Sequence, residues 1–245
     1  MKYHVNDTLT LGKYRTVSIE KDLTGSSEKF DTAEVSLVIK NAVVVGRESV
    51  YKADIGITDG RITAVGKADD GCRQIDAEGL VLTAGKVHTV NGGLDSYMLE
   101  DMLFSGVSTV VFDSQPSDNE IKLMLGHPLN YCVCFGGDQH DTEELFHHVG
   151  DVAVGMIADL YLWRCEKFGT EPEKIIKFGR CIFDRSLTDR KDVIYALAYD
   201  TSHRPARSAS VFFTSHHEAN SYFGRLYETE HTMIALDTKK IDPPE

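Results

Sequence analysis

Between Val35 and Leu82 the chain alternates Val, Ile and Leu with polar residues, and the pattern is broken by Asn41, Gly46, Asp59-Gly60 and Gly71. A period of two puts the apolar residues on one face of an extended strand, so this stretch reads as a small β-sheet unit. The sharpest signal in it is Asp59-Gly60, set between Ile55-Gly56-Ile57 and Arg61-Ile62-Thr63-Ala64-Val65. Both residues tolerate positive φ, which a two-residue hairpin turn requires, so a hairpin is expected there.

Helical spacing follows. Leu94, Met98, Leu99, Met102 and Leu103 recur at helical intervals up to Phe104, and Gly106 supplies the stop. Val107 to Phe112 reads as a buried strand, and Asp118 to Leu125 as a second helix ended by Gly126 and Pro128. Tyr131 to Phe135 reads as a further strand, and Thr142 opens a short helix through His148. The order strand, helix, strand, helix, strand is how a β/α barrel begins. Gly85 to Val149 holds roughly two such units and part of a third, against about 200 residues or more for all eight. Asp192 to Ile241 reads as an α/β tail, with a strand at Ser210 to Thr214 and a helix from Ser215 to Tyr227.

The formal charge of −12 on 245 residues argues against phosphate-backbone binding, which needs clustered Lys and Arg, so no nucleic-acid partner is expected. The first thirty residues carry no signal-like apolar run, and Glu20, Asp22 and Glu28 are out of place in a transit peptide. No stretch approaches the roughly 20 apolar residues that span a bilayer, and no membrane association is expected. Cys72, Cys132, Cys134, Cys165 and Cys181 are irregularly spaced and odd in number, which fits reduced thiols and a cytoplasmic setting. Cys132-Val133-Cys134 lies in a strand-like run, and without a second Cys or His pair at zinc-finger spacing it reads as buried structural thiols.

Three segments carry a family resemblance. Leu37 to Val45, Lys52 to Ile62 and Asp76 to Gly85, with Asn6-Asp7-Thr8-Leu9 and Ile19 to Leu23 before them, resemble the opening of the amidohydrolase superfamily, closest to the urease large subunit. Gly150 to Leu160 resembles the run that returns to that family's β-sandwich after its barrel, and Phe168-Gly169-Thr170 with Ile175-Ile176-Lys177 resembles the urease version. The resemblance implies a mixed α/β fold: a composite β-sandwich of residues 35–84 plus 149–185, a truncated barrel remnant at 85–148, a lead-in at 1–34 and a tail at 186–245.

The resemblance also implies two nickel ions bridged by a carbamylated lysine and held by four His and one Asp. Such a centre polarises a carbonyl and lowers the pKa of bound water, but only when several ligands fix the ions. In the stretch Thr83 to Gly92 a gapless reading puts Val90 and Gly92 at the two His-x-His positions, and His88 where the family has Asp. No Lys-x-His-Glu-Asp or Gly-His-Ala-Pro counterpart occurs. Asp113-Ser114-Gln115 resembles the Asp-Ser-Gln of the last ligand but follows the wrong strand. His147-His148 and His216-His217 are adjacent pairs whose side chains diverge. Gly136-Gly137-Asp138 lacks the spacing of a phosphate loop, no Gly-x-Ser-x-Gly turn occurs, and a Cys/His dyad is left open.

The expectation is therefore a degenerate amidohydrolase without catalytic, cofactor-binding or metal residues. It would serve as a structural or regulatory subunit of a homo-oligomer or larger assembly, docked through the apolar helix at Leu94 to Met102 and the strand at Val107 to Phe112. The alternative is a metal-dependent hydrolase of C–N bonds with a rebuilt site, in which nickel or zinc is held by His88, Asp113 and a third residue.

Overall fold

The structure is a computed structural model and describes residues 2–25, 27–29, 35–68, 73–125, 127–133 and 148–186. The expected helix from Thr142, the end of the strand at Phe135, Cys134, the turn at Gly136 and the tail beyond residue 186 lie outside the described residues. The chain divides into two compact units, one of Met1–Gly85, Phe104–Gly106 and Val149–Thr188, the other of Lys86–Leu103, Val107–His148 and Asp189–Glu245.

In the first unit, β1 (Thr8–Leu11) and β2 (Arg15–Ser18) form an antiparallel hairpin. The other described strands of this unit share one sheet: β3 (Lys21–Asp22), β4 (Ser27–Lys29), β5 (Leu37–Val45), β6 (Val50–Thr58), β7 (Arg61–Gly66), β8 (Arg73–Asp76), β9 (Val81–Ala84), β13 (Leu160–Trp163), β14 (Lys174–Lys177) and β15 (Arg180–Asp184). β4 pairs antiparallel with β7, Glu28 opposite Val65.

Asn41 does not end a strand. It sits inside β5 at φ 59, at a register break between Ile39 and Ala42. A bulge kinks a strand and re-aims its edge. On one side of this bulge β5 pairs in parallel with β8 through Leu37–Lys40, and on the other with β9 through Val43 and Val44. The Asp54 carboxylate holds the kink, accepting from the Asn41 N–H at 3.0 Å and from Lys40 Nζ at 3.3 Å.

The alternation read from the sequence becomes two buried faces of β5. Leu37, Ile39, Ala42 and Val44 pack with Ile55, Ile57, Ile62, Leu82, Leu160, Leu162 and Ile176. Val43 and Val45 pack with Val81 and, from the β1–β2 hairpin and the residue after it, Leu9, Leu11 and Ile19. β13 pairs antiparallel with β9 along its length, Leu160 opposite Ala84 and Trp163 opposite Val81. The Trp163 indole Nε1 donates to Thr83 Oγ1 at 2.9 Å.

In the second unit, β10 (Lys86–Val90), β11 (Val107–Phe112) and β12 (Asn130–Val133) form a parallel sheet in that order. Helix α1 (Ser96–Phe104) joins the first two and α2 (Asp118–Leu125) the last two. Such a βαβαβ unit occurs in open α/β sheets as well as in barrels. Of the apolar residues expected to need a cover, every residue of β11 is buried and Leu94 and Leu99 are 7% and 1% exposed, whereas Met102 is half-buried and Met98 is 42% exposed. The exposed apolar side chains of α1 are Tyr97 and Met98.

Candidate functional site at the ends of the parallel strands

Catalytic groups of parallel α/β folds sit where strands end and loops begin, because the sheet fixes the strand ends while the loops are free to vary. Here that region is the segment after Val90 and the segment after Phe112. The Asp113 N–H donates to the Val90 carbonyl at 3.3 Å and carries the β10–β11 ladder one residue further. This sets Asn91 beside Asp113, and with its amide nitrogen turned toward the carboxylate, the orientation that satisfies both groups, Asn91 donates to both Asp113 oxygens. After Asn91 the chain turns through Gly92 and Gly93, at φ 84 and 78. Asp95 then starts α1, its side chain accepting from the Met98 N–H at 2.8 Å.

A second carboxylate governs this turn. Ser117 and Glu120 form a capping box at the start of α2: the Glu120 N–H donates to Ser117 Oγ at 3.3 Å, and the Ser117 N–H donates back to Glu120 Oε2 at 2.8 Å. Ser117 Oγ also donates to Oε2, at 2.7 Å. The other oxygen, Oε1, accepts from the Leu94 N–H at 3.2 Å. The Gly93 N–H also bonds the carboxylate. The hydrogen bonds from Ser117, helped by those from Leu94 and Gly93, hold the Glu120 carboxyl below its ordinary pKa. Glu120 is thus an ionised, 8% exposed carboxylate committed to backbone N–H groups of its own unit.

The two sequence-selected residues stand apart. His88 is exposed on β10 and lies opposite Val110 in the ladder, three positions before Asp113. At about 3.3 Å per residue that is roughly 10 Å along the strands, and an odd offset turns the two side chains to opposite faces. Among the described residues no three His, Cys, Asp or Glu side chains are grouped so as to hold a metal ion.

Among the described residues, those at the positions the resemblance assigns to a two-metal centre do not fit it. Val90 is buried and offers no donor, Gly92 has no side chain, and Asp113 is engaged by Asn91. Cys165 and Cys181 are free thiols.

Two arrangements were missed in the sequence. Ser117-x-x-Glu120 before the apolar positions of α2 is a legible capping signature. The other, in the first unit, is the buried pair of Asp159 and Lys177. An Asp in an apolar strand-like run was a visible oddity, but its partner, 18 residues away, was identified only by the fold.

Residues 4–86 match the family described as the urease alpha-subunit, N-terminal domain. Among solved structures, the chain is 17% identical to the L-hydantoinase (dihydropyrimidinase) of Arthrobacter aurescens, covering 46% of this chain and 31% of that one with a TM-score of 0.36. It is 22% identical to the D-hydantoinase of Bacillus sp. AR9, covering 46% and 30% with a TM-score of 0.34. It is 20% identical to a D-aminoacylase, covering 45% and 31% with a TM-score of 0.33. The chain spans less than a third of the length of these structures, and likenesses of this size add no argument about its chemistry.

Proposed function

We propose that this chain, urease alpha-subunit-like over residues 4–86, is a non-catalytic protein that acts as a structural or regulatory subunit. The observation that carries the reading is the failure of the candidate residues to converge. His88 and Asp113 lie about 10 Å apart along the sheet, and Asp113 is engaged by Asn91. Hydrolysis at a C–N bond by metal-bound water needs ions held by several ligands at once, and Val90 and Gly92 supply none.

In this reading β5–β9 and β13–β15 form the composite sandwich, and the βαβαβ unit is what remains of a barrel. The shared sheet and the β9–β13 ladder support the first part, and the parallel strand order supports the second. The partner is a second copy or another subunit, and the exposed Tyr97 and Met98 of α1 are, among the described residues, the large apolar side chains of that unit open to it.

Elemental analysis of the purified chain tests the central claim. No stoichiometric nickel or zinc and no ammonia release from urea are expected. Nickel near two equivalents, with ammonia release abolished by His88→Ala, would refute it. Light scattering at micromolar concentration tests the subunit role separately.

A further inference from the structure

The turn that follows β10 is built to hold itself in place. Gly92 and Gly93 occupy the left-handed region, which residues with a side chain rarely adopt. A Cβ on Gly92 would meet Glu120 Oε1 at 3.5 Å, so space is not the obstacle and backbone conformation is. That conformation delivers the Gly93 and Leu94 N–H groups to one carboxylate, which also accepts from Ser117.

We propose that a carboxylate clamp occupies the place of a ligand site at the end of β10. Glu120, by gathering Gly93, Leu94 and Ser117, holds residue 92 in the left-handed region and off the two-residue alternation of β10, so histidines placed at Val90 and Gly92 together do not share one face and do not create a nickel or zinc site. The inference rests on the non-catalytic reading above and deepens it, because it makes the missing ligands a matter of backbone as well as of side chains.

The test uses the full chain and thermal unfolding followed by circular dichroism. Gly92→Ala should lower Tm by about 2–8 °C, the size of one left-handed penalty in a chain of this length. Gly92→Asn should lower it by less, since Asn tolerates that region. If Glu120 sets the conformation, the Gly92→Ala penalty should fall to less than half in a Glu120→Ala background, where the turn is released. V90H/G92H, incubated with nickel or zinc sulfate and desalted, should retain no stoichiometric metal.

An unchanged Tm for Gly92→Ala would overturn the proposal, and so would an equal penalty in both backgrounds. Stoichiometric metal in a V90H/G92H chain that melts like the parent would overturn it as well. The single variants decide the matter even if the double histidine variant does not fold. Metal in the unmodified chain would instead overturn the non-catalytic reading, so the two failures are distinct.

Discussion

Asp159 and Lys177 form an ion pair in which the two side chains are 3% and 4% exposed, within the first unit. Asp159 also accepts from the Phe178 N–H at 3.0 Å, so one carboxylate fixes both the end of β14 and the turn after it. Burial lowers the Lys177 pKa, an effect that the Asp159 charge opposes. Removing one partner leaves an uncompensated buried charge, which typically costs about 3–5 kcal/mol. Lys177→Met and Asp159→Leu should each lower the urea midpoint strongly. The double variant should recover much of the loss, because two apolar side chains leave no charge behind. A double variant at the additive sum of the singles would show that the two residues act independently.

The turn that Asp159 fixes meets another turn of the same kind. Phe178-Gly179 and Asp59-Gly60 are both two-residue hairpin turns with positive φ at each position, and a Cβ on Gly60 would meet the Phe178 ring at 3.2 Å. At Gly179 a Cβ would lie 2.6 Å from Ile57 Cγ2, and φ is 69. Gly179→Ala therefore combines backbone strain with overpacking and should cost about 2–4 kcal/mol. Gly60→Ala, whose closest neighbour is a ring that can shift, should cost less. Equilibrium urea unfolding of the two variants checks the order.

The Glu120 clamp predicts a pH signature. Its folded pKa lies below the ordinary value of 4.5, so the ionised form is the one the folded state prefers. The stability it contributes is fully present above the unfolded value and is lost as pH falls through the folded one. At pH 7, Glu120→Gln should lose about 1 kcal/mol or more, as for a broken helix cap. The gap between parent and variant should begin to close as pH drops below about 4.5 and close once pH passes the lower folded value, where the parent also carries a neutral side chain. A gap that stays constant from pH 7 down to pH 3 would contradict this account.

Trp163 is the single tryptophan of the chain, 1% exposed, and its indole donates to Thr83 across the β9–β13 ladder. Its fluorescence therefore reports the joint between segments 80 residues apart. Thr83→Val keeps the shape and removes the acceptor, leaving a buried N–H unpaired at about 1–3 kcal/mol. The emission should remain that of a buried indole while the urea midpoint falls. A red-shifted native emission would mean that the strand pairing itself depends on this bond.

The strand periodicity from Val35 to Leu82, the Asp59-Gly60 turn and the α2 boundaries at Asp118 and Leu125 were legible in the sequence, because each is set by residues within a few positions of one another. The departure from the family's ligand pattern at Val90 and Gly92 was equally legible, since it is a matter of residue identity. Asn41 was not: as a strand breaker and as a bulge it looks the same until Asp54, Lys40 and the strands β8 and β9 are in place around it.

Local sequence thus determined which segments extend, which coil, and which side chains are available for chemistry. Only the tertiary structure decided what those side chains do. It set His88 and Asp113 apart by fixing the register of β10 on β11, committed Glu120 to backbone N–H groups contributed by two loops, and buried Asp159 against Lys177. Each of these depends on the distance between residues remote in the chain, and that distance is set by how the strands pair.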